Sequence, residues 1–342
     1  MKMTIFFTIN KQINNTYITK GSNKMKELVN EIVITGDLVK CDLEEKEITS
    51  KKDGITRVAL SGSVILRTSD GSEFETNLFA NKYKKDSDEL SFFYTQYNEL
   101  LENAVSIENA VDGQTPSVVT VNAVLDANDY KSKNGNVVSG TRINGRFVKI
   151  ESDKDAQIIA KEAKFTMGGI IKSIDDEIVK DVPTGNKTIV LLPIKQKTED
   201  YTKEDAYEAD EIFEVSYTLP KELVEPFMSV GYMDGQYAEF NGVMVNTVEV
   251  KKETVEQAFG NPIEKETKKI VRSNTIKSGA MPVTIYDIGL TEEMVDALKT
   301  RRQVKLQELQ NGNNGGSVNG FGKAPAPTQT APVNTGYNPF AK

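Results

Sequence analysis

The chain of 342 residues contains no histidine and a single cysteine, Cys41. Without histidine, a Ser-His-Asp triad, a Cys-His pair and a His-ligated zinc site are all excluded. One cysteine excludes an intramolecular disulfide and a thiolate metal site built within one chain, which fits a reducing setting. Catalytic signatures are equally scarce. No Walker loop and no Gly-x-Gly-x-x-Gly occurs, and Asp and Glu are too common to single out a carboxylate dyad; a protein without enzymatic activity, metal or cofactor is expected. The opening Met3 to Ile9 is too short and too quickly polar for a signal peptide, and no apolar run approaches membrane-spanning length. These absences predict a soluble, cytoplasmic protein.

Positive charge is in deficit overall: 42 Lys and Arg stand against 50 Asp and Glu, a formal net charge of −8. A polyanion could bind only through a local basic patch, not through the field of the whole molecule. At 38% hydrophobic residues the chain has enough apolar material for two ordinary cores.

What is present looks duplicated. Ile32-Val33-Ile34-Thr35-Gly36-Asp37-Leu38-Val39-Lys40 is echoed by Lys164-Phe165-Thr166-Met167-Gly168-Gly169-Ile170-Ile171-Lys172. Both reduce to Gly-x-(Leu/Ile)-(Val/Ile)-Lys after apolar alternation, and each is followed by acids that read as a turn: Asp42, Glu44 and Glu45, then Asp175, Asp176 and Glu177. A second echo, Ile143-Asn144-Gly145 and Phe240-Asn241-Gly242, keeps the same order, so two similar β domains in tandem are expected.

Residues 1–24 read as a short strand and a polar arm, or as an appendage ahead of a natural start at Met25-Lys26-Glu27-Leu28. Strands follow at 31–41, 55–67 and 74–79, with strict alternation from Ile55 to Arg67. Leu90, Phe93, Tyr97, Leu100 and Leu101 recur at helical spacing, and strands at 116–127 and 137–150 flank a polar loop at 128–135. The second half repeats the order: strands at 163–174, 187–196 and 211–218, a helix at 221–229, and strands at 236–250 and 268–276. Three strands, a helix and two strands is the order of the five-stranded OB barrel. The predicted fold is therefore mainly β, with two tandem OB-like barrels at 25–152 and 160–280; a β-sandwich of similar short strands is the alternative. A C-terminal helix is expected at 290–310, with Thr291 as N-cap, acids in its first turn, and an apolar face so thin that it docks weakly or binds a partner. The Asn, Gly, Pro and Thr composition of 311–342 predicts a disordered tail.

Between Tyr130 and Ile150 there is no acidic residue, while Lys131, Lys133, Arg142, Arg146 and Lys149 are cationic. Tyr130 and Phe147 stand among them, the mixture a single-stranded nucleic acid requires: cations follow phosphates and aromatic faces stack on unpaired bases. Lys82, Tyr83 and Lys84 after the third strand form a second cluster with Phe79, and Lys51 and Lys52 occupy the loop after the first. In an OB barrel these elements would converge on one groove; as solvated loop lysines they would do nothing. Residues 199–211 carry seven acids against Lys203 alone, read as a solvated loop in preference to a docking surface for a basic partner.

The strand Ile32 to Leu38, running into Gly-x-Leu, resembles the first strand of bacterial and phage single-stranded DNA-binding proteins. The tail closing in Tyr337-Asn338-Pro339-Phe340-Ala341-Lys342 is similar to theirs, although theirs is acidic and ends at the Phe. The resemblance implies an OB-fold protein that coats single strands in DNA replication or recombination inside the cell. It further implies recruitment of replication or recombination proteins through Tyr337, Pro339 and Phe340. The Lys- and Asn-rich wording suits a phage of a low-GC bacterium. Two other classes stay open on the residues alone: a structural or adaptor protein such as a virion component, and an RNA-binding or replication-initiation factor.

Overall fold

The computed structural model describes residues 25–50, 54–198, 203, 206–255 and 263–311, with backbone alone for 248–255 and 263–270. The first half forms β1 (Asn30–Cys41), β2 (Glu44–Thr49), β3 (Thr56–Arg67), β4 (Glu73–Asn81), α1 (Phe92–Asn103), β5 (Val118–Lys131) and β6 (Val137–Ile150). After the single-turn α2 (Asp153–Ala156), the second half forms β7 (Ala163–Val179), β8 (Val182–Leu192), β9 (Ile194–Thr198), β10 (Tyr207–Ile212), β11 (Val215–Leu219), α3 (Lys221–Val230), β12 (Tyr237–Val255) and β13 (Ile263–Gly279). A 3-10 turn (Ile285–Ile288) leads into α4 (Glu292–Asn311). Among the described residues no helix is long and apolar enough to cross a membrane.

Local chemistry sets the element ends. Ser91 caps α1 by accepting the Tyr94 amide at 3.2 Å, and Tyr94, Tyr97 and Leu100 then fall on one buried face. α3 ends at Gly231, whose φ of 82° is the left-handed conformation that glycine adopts without a Cβ penalty. Thr291 caps α4 through the Met294 amide. The acids expected to form turns do not. Glu44 and Glu45 open β2, and Asp175, Asp176 and Glu177 lie inside β7. That reversal falls instead at Lys180 and Asp181, both at positive φ between the paired Val179 and Val182, a two-residue hairpin turn that matches strand twist. The loop expected at 128–135 is also shorter, because β5 runs on to Lys131.

Strand pairing closes on itself twice. In the first half β1 pairs β3, β3 pairs β4, β4 pairs β6 in parallel, β6 pairs β5 and β5 pairs β1. In the second half the circuit is β7, β8, β11, β13 (again parallel), β12 and back to β7. The registers correspond as well. Ile32↔Ala123 matches Phe165↔Gly242, Asp37↔Arg67 matches Ile170↔Leu192, and Leu66↔Phe74 matches Leu191↔Val215. Asn77↔Asn144 likewise matches Thr218↔Thr275, and Ala123↔Gly145 matches Gly242↔Ile276. Each residue keeps one counterpart throughout, so the two rings share one plan. β2 and the β9-β10 hairpin are additions to the expected strand order.

This plan corrects both echoes read from the sequence. Gly36 corresponds to Gly169 and not to Gly168: a Cβ on Gly36 would lie 2.5 Å from the Arg67 carbonyl oxygen, and one on Gly169 3.1 Å from that of Leu192, the counterpart of Arg67. The Asn-Gly echo joins strands that do not correspond, since Gly145 lies in β6 and Gly242 in β12, the partner of β7.

The rings meet where β1 pairs β7 antiparallel, with Ile32 opposite its own counterpart Phe165. Equivalent strands facing each other at equivalent residues make an approximate two-fold axis, the isologous arrangement of a homodimer within one chain. One apolar core runs through both rings, from Leu38, Leu66 and Val121 to Met167, Leu191 and Phe240. A second cluster gathers Met25, Leu28, Tyr207, Ile285, Val295 and Leu298 beneath α4.

Contrary to the expectation from its thin apolar face, α4 docks firmly, because ion pairs add to the burial of Val295 and Leu298. The Arg302 guanidinium pairs bidentately with Asp129 at the end of β5, 2.6 Å for Nη2 to Oδ1, and reaches Glu211 of β10 at 3.1 Å. Lys305 meets Glu211 at 2.5 Å, and Arg301 donates to the Asp210 carbonyl. The described end of the acidic stretch, Asp210 and Glu211, is thus a docking surface for the chain's own basic helix and not a solvated loop; Glu199, Asp200, Glu204 and Asp205 lie outside the described residues. The Asp129 side chain is 0% exposed and Arg302 11%, so removing Arg302 leaves a buried carboxylate held only by Lys305 at 3.6 Å and the Ser139 hydroxyl at 2.9 Å. Arg302→Ala is expected to weaken docking of α4 by at most about 3–5 kcal/mol, since Lys305 still faces Asp129, read as faster hydrogen exchange and proteolysis confined to 292–311.

Candidate nucleic-acid interface

α1 lies against β4 and β6, and its first turn projects Phe92 and Phe93 to the surface. Phe147 of β6 joins them, with ring centroids 6.2 Å from Phe92 and 5.3 Å from Phe93. All three are exposed, at 59%, 38% and 45% respectively, although hydrophobic rings in a folded protein are ordinarily covered. Phe79 of β4 is 40% exposed and belongs to the same region. β4 and β6 run parallel with Asn77 opposite Asn144, and Phe79 and Phe147 follow on the outward side of each strand. Tyr83, 46% exposed, bridges to Leu90 just ahead of the helix.

A β-bulge aims two of these groups. Asn122 pairs Phe147 and Ala123 pairs Gly145, leaving Arg146 as an extra residue that twists the strand and turns both Arg146 and Phe147 outward. The buried Tyr97 hydroxyl holds the bulge by donating to the Arg146 carbonyl at 3.0 Å and to that of Gly145 at 3.3 Å. Arg146 is exposed and has no ion pair among the described residues. Arg142, four residues earlier, has an enclosed Nε without an acceptor there; its cross-strand neighbour Asp126 is engaged by Asn144 at 2.6 Å and Lys195 at 3.1 Å.

The lysines of the second cluster are not free. Lys82 pairs with Glu45 at 2.9 Å and lies 5.5 Å above the Tyr94 ring; Glu45 also accepts the Tyr94 hydroxyl at 2.5 Å. Hydrogen bonds from Tyr94 and then Lys82 hold the Glu45 carboxyl below its ordinary pKa, and the bond to Glu45 raises that of Lys82. Lys84 pairs with Glu89 at 2.6 Å. Lys51 and Lys52 lie outside the described residues.

The convergence expected from the sequence is therefore partial. Tyr130, exposed, pairs Val138 near the end of the β5-β6 hairpin, eight residues along β5 from the partner of Phe147, roughly 27 Å away. There the Lys131 ammonium donates to the Gln310 carbonyl at 2.9 Å and the Val137 amide to its side chain at 3.3 Å, so the end of α4 occupies this corner. Lys133 is exposed at the same tip. Phe79, Lys82, Tyr83, Lys84, Arg146 and Phe147 form one group, Tyr130, Lys131 and Lys133 another, and Arg142 lies between. Tyr337, Pro339 and Phe340 fall outside the described residues. Sequence reasoning missed Phe92, and it took Phe93 only as core of the helix. The signal was there: Phe92 falls off the stripe Leu90, Phe93, Tyr97, Leu100, so its ring had to point elsewhere.

The described residues thus define a mainly β protein of two matched pairing rings, one bearing an aromatic and cationic outer face. The sequence matches the YorF family model over residues 28–312, and the chain belongs to the YorF family. No curated protein matches it. Among solved structures it is similar to the wild-type single-stranded DNA binding protein from Thermus aquaticus, at 10% identity over 75% of this chain and 94% of that one, with a TM-score of 0.39. A deletion mutant of that protein, which also carries a point substitution, matches at 10% identity over 75% and 95%, TM-score 0.37. A Replication Protein A heterotrimer bound to ssDNA matches at 14% identity over 81% of this chain and 53% of that one, TM-score 0.20. At such scores the likeness carries no argument.

Burial pushes the Tyr97 phenol up to about 12. In the unfolded chain it ionises near pH 10, so between these values the unfolded state holds fewer protons and stability falls as pH rises. Tyr97→Phe is expected to cost about 1 kcal/mol at neutral pH and to make the decline between pH 10 and 12 shallower, both read by urea titration.

Proposed function

We propose that this protein binds single-stranded DNA without catalysis, each ring being an OB-type barrel and the first supplying most of the contact surface. The observation that carries the reading is the solvent-exposed aromatic group of Phe92, Phe93 and Phe147, with Arg146 beside it, unpaired among the described residues. Exposed rings cost free energy in water that a partner with flat apolar faces recovers by stacking, and a neighbouring guanidinium suits a partner that also carries phosphate. The pairing circuit supports the barrel assignment, because antiparallel strands with one parallel closure and a helix between the third and fourth principal strands is the OB plan.

On this reading Phe79, Tyr83, Phe92, Phe93 and Phe147 stack on bases, while Arg142 and Arg146 follow phosphates. Lys82 and Lys84 join when DNA competes with Glu45 and Glu89, and Tyr130 and Lys133 extend the path. The domains are 25–152 and 160–280. The role is in replication or recombination inside a bacterial cell, phage-encoded, with replication or recombination proteins recruited through Tyr337, Pro339 and Phe340.

Fluorescence anisotropy of labelled oligo-dT against a duplex of equal length tests the assignment. Tight, salt-sensitive preference for the single strand is expected; equal or absent binding would discard it. Phe93→Ala with Phe147→Ala should cost about 1–3 kcal/mol per stacked base lost, and normal binding by the folded double variant would move the interface elsewhere. Glu45→Gln releases Lys82 from its partner, so affinity should rise and the slope of log K against log salt steepen by about one. An unchanged slope would remove Lys82 from the phosphate path.

A further inference from the structure

We propose that the second ring holds a pocket for a single unstacked nucleobase of the bound strand, at the place where the first ring fills its wall with aromatic rings. The inference rests on the single-strand reading above. Between α3 and the strands β11 and β13 lies an open cavity of about 170 Å³. Leu223, Phe227, Val230, Tyr232 and Phe240 wall it, and the exposed Lys277 and Ser278 border it.

Its origin follows from the shared plan of the rings. Asn122 pairs Phe147 in the first ring and Asn241 pairs Ser278 in the second, so Ser278 stands where Phe147 stands. Matching the most deeply buried aromatic of each helix, Tyr97 in α1 and Phe227 in α3, places Leu223 at the position of Phe93. The ring contact of Phe93 and Phe147 at 5.3 Å is thus replaced by leucine and serine, and the missing volume is left open.

The lining of the cavity is apolar and aromatic, which suits a flat ring. Phe227 and Tyr232 are stacked 4.3 Å apart, Phe240 lies 5.4 Å from Tyr232, and the Tyr232 hydroxyl is satisfied by the Ala280 carbonyl at 2.7 Å, so the walls are apolar. The volume is below the about 300–1,000 Å³ of drug-sized sites and suits one ring system. Lys277 is the extra residue of its bulge, as Arg146 is in the first ring, and has no ion pair among the described residues. It is placed to meet the phosphate of the inserted nucleotide. Glu222 and Glu225 are exposed on α3 but do not line the cavity.

Photo-crosslinking of the full chain to oligo-dT carrying 5-iodouracil, followed by peptide mapping, tests this. Crosslinks are expected on the peptide with Phe147 and on those with Phe227 to Phe240 or Ile276 to Gly279. Ser278→Leu fills the pocket without offering a stacking ring; it should abolish the second set, spare the first, and weaken binding about fivefold or more. Lys277→Glu, a surface change that folding tolerates, should lower the salt slope by about one. Binding with crosslinks to the first ring alone, unaffected by Ser278→Leu, would overturn the pocket and leave the single-strand reading standing. No binding of the oligonucleotide by the wild-type chain would remove both. Loss of the second set on adding free peptide Tyr337–Lys342, with affinity unchanged, would assign the pocket to an aromatic side chain and likewise overturn it.

Discussion

The antiparallel contact of β1 with β7 is the constraint on which the remaining architecture depends. Within its own ring β1 is paired along one edge by β5, but β3 covers only Asp37 to Cys41 of the other, which leaves Asn30 to Ile34 with open hydrogen-bonding groups. β7 is in the same position: β8 begins at Ile170 and leaves Ala163 to Met167 uncovered. Each open half-edge satisfies the other, so the liability of an exposed apolar edge is removed internally. Peripheral contacts then lock the arrangement. Asn246 of β12 bonds to Ser72 and Glu73 of the first ring, Lys195 of β9 pairs with Asp126, and α4 straps β10 to the β5-β6 hairpin.

A common backbone plan has been given two different surfaces. At counterpart positions the first ring has Phe147 and Phe93 where the second has Ser278 and Leu223, while the bulge keeps a cation in both, Arg146 and Lys277. Backbone hydrogen bonding fixes the bulge whichever side chain it carries, so chemistry on its outward side can diverge without cost to the circuit. The second ring has a cavity where the first has exposed aromatic rings.

Net charge also takes a different meaning once partners are known. A chain with eight excess negative charges is a poor polyanion binder on average. Yet many acids are committed locally: Glu45 to Lys82, Glu89 to Lys84, Asp129 and Glu211 to α4. Among the described residues Arg146 escapes this pairing, and an exposed cation without a counter-ion beside aromatic rings matters more than the sum. Glu45 and Glu89 hold Lys82 and Lys84 in ion pairs of 2.9 and 2.6 Å, so neither lysine offers an uncompensated charge.

Alternation and helical spacing are properties of neighbouring residues, and these the sequence alone determined. The principal strands, α1, α3 and the Thr291 cap of α4 were legible, because each is set by side-chain period or by capping within a few positions; β2 and the β9-β10 hairpin were not. The one-residue shift that matches Gly36 with Gly169 was not legible, nor was the false partnership of Gly145 with Gly242. Register is a relation between distant strands, decided by bulges and by which carbonyl a glycine must approach. The docking of α4 was equally hidden, since Arg302, Asp129 and Glu211 are far apart in the chain and their worth comes from burial together. The aromatic group divided in the same way. Phe147 and Arg146 could be chosen from composition, but only the folded chain places Phe92 and Phe93 beside Phe147, and sets Tyr130 roughly 27 Å away, because strand length and helix docking are tertiary distances.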